Sequence, residues 1–278
     1  MNRFQFQTVP NIIAGLGTIQ ELFKILKNGR YQRLLLVTDP GMLKQQLHLP
    51  ILDIIESAGL DYVIYSDVQA DPPDNVVLEA AAFAKQEKID VVLGFGGGSS
   101  MDVAKLIAIL AHPEQHQTLS DLYGVDNATG PRLAPILVPT TAGTGTEATR
   151  YSVVTNAAQH GKGTIKTDLI FPTKALVDAE LMMSMPRRTT ALTAIDAFAH
   201  AFEAYIGSKA NAFSEMFSLQ AMKLFARSAR RVCENGSDRE ARCDMALCST
   251  LGGLAISHSA TTLPHGIGQA LSGVTDAP

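Results

Sequence analysis

Gly94-Phe-Gly-Gly-Gly-Ser-Ser-Met-Asp102 follows directly on the apolar run Ile89-Asp-Val-Val-Leu93. A β-rich run that ends in glycines and then opens a helix is the geometry of a phosphate cradle. Glycines allow φ > 0 and let a ligand approach backbone N–H groups without a Cβ in the way. Those N–H groups, with the positive end of the following helix, attract a diphosphate. Ser99 is expected to cap that helix, and Asp102 falls three residues later, the spacing of a capping box. A plain strand-to-helix turn fits the glycines equally well, so the surrounding sequence has to decide.

Upstream, Arg33-Leu-Leu-Leu-Val-Thr38 is a continuous apolar run, the pattern of a parallel strand covered on both faces. Tyr62–Tyr65, Val91–Phe95 and Ala134–Val138 repeat it, and Phe4–Thr8 reads as an opening strand before a loop over Pro10–Gly17. Between them, Thr18–Lys27, Leu49–Ala58, Asp74–Lys85 and Met101–Ala111 carry helical spacing, while Asp39-Pro40-Gly41 reads as a turn. Ser152–Thr155 and Lys174–Val177 are expected to add strands. This alternation predicts an α/β fold with a mostly parallel sheet. From Pro186 the texture changes to long helical patterns over Arg187–Tyr205, Ala212–Arg231 and Arg239–Ser257. The expected division is 1–185, a dinucleotide-binding α/β domain, and 186–278, an all-helical metal and substrate domain that looks incomplete.

Composition narrows the class. The 278 residues are 46% hydrophobic and 18% charged, which suits a soluble globular enzyme. A formal net charge of −4 with no long Lys/Arg run argues against a nucleic-acid partner. The N-terminus lacks the apolar core of a signal peptide, and no apolar run is long enough to span a bilayer, so the expected location is cytoplasmic. Cys233, Cys243 and Cys248 form an odd set without a CxxC, consistent with free thiols in a reducing compartment.

Two further stretches carry chemistry. Pro139-Thr-Thr-Ala-Gly-Thr-Gly-Thr-Glu147 lies just beyond a buried strand and supplies hydroxyls and unhindered N–H donors at the carboxyl edge of the sheet. Lys162, between two glycines, offers a cation to the same anionic ligand, although alone it reads as a solvated lysine in a hairpin turn. Asp196-Ala-Phe-Ala-His200 puts a carboxylate and an imidazole on one helix face. Downstream, His265 ends a helical stretch, with His258 seven residues before it. An Asp with histidines and open positions suits a divalent transition metal acting as a Lewis acid, though a surface Asp–His contact is the plainer alternative.

Together these features resemble the iron-containing (group III, metal-dependent) alcohol dehydrogenase family. The resemblance rests on Gly96–Asp102, Pro139–Glu147, Asp178 within Leu176-Val-Asp-Ala-Glu180, Asp196-xxx-His200 and His265-Gly266, in the family's order. The spacing is close to that of lactaldehyde reductase-like members. It implies a dehydroquinate synthase-like fold with substrate and metal in a cleft between two domains. Gly97, Gly98 and Ser99 would hold the pyrophosphate of NAD(P), with Asp102 in the same stretch. Thr140, Thr141 and Thr144 would lie along the cofactor and Lys162 near the nicotinamide ribose. Asp39 matches the adenosine-ribose position, where a carboxylate favours NAD over NADP. Asp196, His200 and His265 match three of the family's four metal ligands, for Fe²⁺ with Zn²⁺ as an alternative.

The family's fourth ligand, a histidine, follows a stretch like Ser272–Pro278, and further helices complete its substrate cleft, so the chain reads as truncated. Gln269 stands where many relatives carry a proton-relaying histidine. The implied activity is hydride transfer between NAD and a small alcohol or diol and its aldehyde, in a homo-oligomer. A metal-free reductase, a transhydrogenase of the same superfamily, or an inactive NAD-binding fragment are the competing readings.

Overall fold

The computed structural model describes residues 4–156 and 161–272. Its centre is a six-stranded, wholly parallel sheet in the order β1-β9-β6-β4-β2-β3. The strands are β1 (Ile12–Ala14), β2 (Arg33–Val37), β3 (Asp61–Tyr65), β4 (Val91–Gly96), β6 (Ala134–Pro139) and β9 (Lys174–Val177). Continuous apolar runs become central strands because both faces are covered. Leu35, Val37, Val92 and Leu137 face helices α4 (Asp74–Gln86) and α5 (Gly98–Leu110). Leu34, Leu36, Leu93, Phe95 and Val138 face α1 (Glu21–Gly29) and α3 (Leu49–Ser57) on the other side.

A second, three-stranded sheet follows the short helix α6 (Leu119–Leu122) and takes the order β5-β8-β7, from β5 (Gly124–Val125), β7 (Tyr151–Asn156) and β8 (Gly161–Lys166). Ser152–Thr155 therefore joins an antiparallel hairpin, β7 against β8, rather than the main sheet. Ser152–Thr155 is a strand as expected, and three expectations fail. Phe4–Thr8 forms no strand; its aromatic rings turn to the helical part instead, Phe6 stacking on Phe213 with centroids 4.7 Å apart. The edge strand β1 lies inside the stretch expected as a loop. Asp39-Pro40-Gly41 opens the short helix α2 (Pro40–Lys44), because Asp39 Oδ1 accepts from the N–H groups of Gly41 and Met42.

Beyond Pro186 the regular elements among the described residues are all helices: α7 (Arg187–Ile206), α8 (Ala212–Glu234), α9 (Arg239–His258) and α10 (Leu263–Ser272). Small residues at the seam, Ala194, Ala197, Ala201, Ala221, Ala241 and Ala246, let α7, α8 and α9 pack closely. The fully buried Arg242 of α9 donates to Thr190 Oγ1, Met185 O and Gly236 O, fixing the start of α7. A buried guanidinium is tolerated because its donors are met. This anchor sets the azimuth of α7, and with it the face that carries Asp196 and His200.

Candidate active site

Asp39, Gly97 and Thr140 follow β2, β4 and β6, three neighbouring parallel strands, so one carboxyl edge collects them. Gly96 takes φ +147°, where a Cβ would lie 2.7 Å from Ser100 Oγ and 3.3 Å from Asp39 Oδ2. The chain thus turns in a space that only glycine fits. At Gly98 a Cβ would come within 2.7 Å of Thr144 Cγ2, whereas at Gly97 the nearest atoms belong to Thr141 at 3.7 Å. Thr141 and Thr144 therefore flank the glycines. Thr140 is buried, its hydroxyl toward Met42 Sδ at 3.9 Å and its N–H donating to Gly96 O at 2.9 Å.

The capping box expected of Ser99 and Asp102 does not form. Gly97 occupies the N-cap of α5, and no side chain caps it. Asp102 turns inward: Oδ1 accepts from Thr146 Oγ1 at 2.6 Å and Oδ2 from the Val153 N–H at 3.0 Å. Lys105, fully buried one turn on, lies 3.7 Å from Asp102 Oδ1 and donates to Thr146, Thr149 and the Tyr151 carbonyl. Burial pushes Lys105 down to about 8 and raises Asp102, each against the other's attraction. Both Asp102 oxygens are thus engaged within the protein, bracing α5 against the threonine-rich loop.

That loop also touches the helices. A Cβ at Gly145 (φ +59°) would lie 2.3 Å from Ser249 O, and one at Gly253 2.3 Å from Gly145 O, so loop and α9 meet backbone to backbone. Glu147, buried, accepts from Thr250 Oγ1 at 2.7 Å. A Cβ at Gly143 would meet Thr193 at 2.8 Å on α7, one turn before Asp196 and two before His200. The loop beside the glycine cradle is therefore seated on α9 and on α7, the helix that carries Asp196 and His200.

Asp196, His200 and His265 converge. Asp196 Oδ1 lies 3.9 Å from His200 Nε2 and 3.4 Å from His265 Nε2, and one donor atom from each residue falls within 4.8 Å of the others. The two imidazoles stack, with centroids 4.4 Å apart. His265 sits in the first turn of α10 rather than at a helix end. Burial would raise Asp196, but His200 and His265 outweigh it and hold the carboxyl below its ordinary range; Lys162 adds to that pull. Burial lowers His200 against the attraction of Asp196. It would lower His265 too, but hydrogen bonds to Asp196 and Glu203 win and raise it.

One carboxylate oxygen and two imidazole nitrogens at this separation suit a divalent transition metal. Lys162 lies on β8, where it pairs with Asp71 at 2.6 Å rather than standing free in a turn. His258 stays outside the cluster, stacked on Phe6 at 4.3 Å. Sequence reasoning missed Glu203, which is buried on the same face of α7 and bonds His265 Nδ1 at 2.6 Å. Its signal was the i, i+4, i+7 spacing from Asp196 through His200.

The sequence model for iron-containing alcohol dehydrogenase matches residues 10–179, and that for the C-terminal part of the same family matches residues 190–278. The chain belongs to the iron-containing alcohol dehydrogenase family. It is 36% identical to the NAD-dependent methanol dehydrogenase of Bacillus methanolicus over 95% of this chain and 69% of that protein. The structure of a 1,3-propanediol oxidoreductase superposes with a TM-score of 0.95 at 31% identity, covering 100% of this chain and 72% of the other. A sulfoacetaldehyde reductase from Bifidobacterium kashiwanohense, solved in complex with NAD+, gives a TM-score of 0.90 at 27% identity over 99% and 72% of the two chains. The chain spans about two thirds of the length of the curated relatives it matches. As a member of this family it is an alcohol dehydrogenase-type oxidoreductase, and among the described residues no helix is long and apolar enough to cross a membrane.

Proposed function

We propose that this chain interconverts a small alcohol or diol and its carbonyl with NAD, using Fe²⁺ held by Asp196, His200 and His265. What supports the reading is one juxtaposition: the threonine-rich loop touches both the glycine cradle and α7, the helix that bears Asp196 and His200. When bound, the cation supplies Lewis acidity to an alcohol oxygen and the nicotinamide supplies the hydride acceptor. In this reading residues 1–185 hold the cofactor and 186–278 the metal.

The remaining roles belong to the chain's own groups. Uncapped N–H groups at the start of α5 receive the pyrophosphate, where Gly97 leaves room for it beside Ser99 and Gly98 admits the Thr144 side chain. Thr141 and Thr144 line the approach, while Thr140 and Asp102 act from behind by holding the loop and α5 in place. Asp39 keeps Oδ1 for capping α2 and turns Oδ2 toward the Gly96 corner, where it would accept ribose hydroxyls and repel a 2′-phosphate. Lys162 contributes positive charge beside Asp196 on the nicotinamide side. Gln269, one turn beyond His265 on α10, does not titrate and so moves no proton there. The same proposal includes a cytoplasmic, self-associating protein, in keeping with its free cysteines.

The test is His265→Ala. It is expected to lose bound Fe²⁺ and alcohol-dependent NAD reduction while NAD affinity stays within about twofold, since one of three ligands is gone and the cradle is untouched. Equal loss of metal and NAD binding would overturn the assignment of separate sites. Reconstitution with Zn²⁺ in parallel decides between the two metals.

A further inference from the structure

Glu203 is 1% exposed, and a carboxylate so placed needs partners for both oxygens. Oε2 accepts from the Thr262 N–H at 2.5 Å and from Thr262 Oγ1 at 3.0 Å. Oε1 faces His265 Nδ1 at 2.6 Å. Thr262 immediately precedes α10, so one side chain of α7 both anchors the entry to α10 and meets the histidine one turn inside it. Among the described residues α10 buries none of its side chains. The aim of His265 therefore depends on this polar tie far more than on packing.

We propose that Glu203 is a positioning residue that fixes the tautomer and orientation of His265 for metal binding, an inference that rests on the metal reading above. An ionised carboxylate only accepts hydrogen bonds, so His265 Nδ1 has to carry the proton. In the neutral ring Nε2 then keeps its lone pair, and it is Nε2 that faces Asp196 Oδ1 at 3.4 Å. Glu203 acts through His265 and touches neither substrate nor cofactor. It extends the Asp196–His200 helix face by one turn, so a single helix supplies two donors and the support for the third.

The decisive variant is Glu203→Gln, equal in size and shape. Its amide oxygen still accepts from Thr262, but its NH₂ donates to His265 Nδ1 and drives the proton onto Nε2. Zn²⁺ affinity, measured by competition with a chromogenic chelator, is expected to fall roughly 10–100-fold, with NADH affinity and thermal midpoint close to wild type. Glu203→Asp, which keeps the carboxylate, should recover part of the affinity. Thr262→Val, which removes only the hydroxyl bond, should leave Zn²⁺ binding within about threefold, as one of several anchoring contacts is lost. Unchanged Zn²⁺ affinity in Glu203→Gln overturns the proposal. So does parallel loss of Zn²⁺ and NADH binding in both Glu203 variants, which would mean a purely structural role. If the wild-type chain itself binds no Zn²⁺, the metal reading fails, and ¹⁵N shifts of the neutral His265 ring then test the tautomer alone. Nδ1–H in wild type with Nε2–H in Glu203→Gln supports the tautomer control, and the same tautomer in both refutes it.

Discussion

Gly97 and Gly98 are adjacent, yet a methyl group would meet different surroundings at each. At Gly98 it would strike the Thr144 side chain, and at Gly97 it would find only ordinary contact with Thr141 at 3.7 Å. Gly97 also has φ −77° and ψ −174°, a conformation that alanine adopts freely. Gly97→Ala is therefore expected to keep the thermal midpoint while weakening NADH binding about tenfold, because its Cβ enters the room left for a diphosphate. Gly98→Ala should lose both affinity and stability, the latter by about 1–3 kcal/mol of overpacking. Fluorescence titration of NADH beside thermal melts separates the two; full NADH affinity in Gly97→Ala would remove the cradle assignment. At this scale the sequence was informative where chemistry is local. Asp196 and His200 stand one helical turn apart and meet as the spacing implies. Asp102 misled because its partners, Thr146 and Val153, lie 44 and 51 residues away, and a local capping motif could not compete with burial among them. Glu203 passed unnoticed for the opposite reason: on a long helix a glutamate looks like solvent-facing charge until Thr262 and His265 fold back over it.

Among elements, the parallel strands were legible because a run such as Arg33–Val37 has only one stable setting, covered on both faces. The N-terminal segment was not. Its alternating phenylalanines imitate a strand, but Phe6 spends its ring on Phe213, Phe217 and His258. That stacking has a pH consequence. Burial, and then Arg150, push His258 down to about 4. In the unfolded chain it titrates near 6.5, so between these values the folded state binds fewer protons. Stability present above about pH 6.5 is accordingly lost as pH falls toward 4. Because the ring is partly exposed, the expected loss is only on the order of 1 kcal/mol. Urea midpoints by circular dichroism at pH 7 and pH 5 should reveal it, and His258→Phe should have a flatter profile with the stack retained. Identical pH slopes in both proteins would show that His258 does not govern the acid limb.

For the whole molecule, the question is where apolar surface is left over. α9 is enclosed by α7, α8 and the threonine-rich loop. Apolar surface is left over on α8, at Met216 and Leu219, on α7, at Leu192, Ile195 and Ile206, and on α10, at Leu263, Ile267 and Leu271, with Leu263 72% exposed. The α7 positions could not be found from periodicity, because α7 is apolar on a core face and on an outer face alike. Exposed apolar groups of this kind favour association. Light scattering of this chain should therefore show a mean mass that rises with concentration. Leu263→Gln combined with Ile267→Gln should reduce that rise with little change in thermal midpoint, since neither side chain is buried in the folded chain and little packing is forfeited. A monodisperse monomer at all concentrations would mean that the α10 side chains find cover within a single chain. The tie from Glu203 to His265 would then have to share the positioning of α10 with packing.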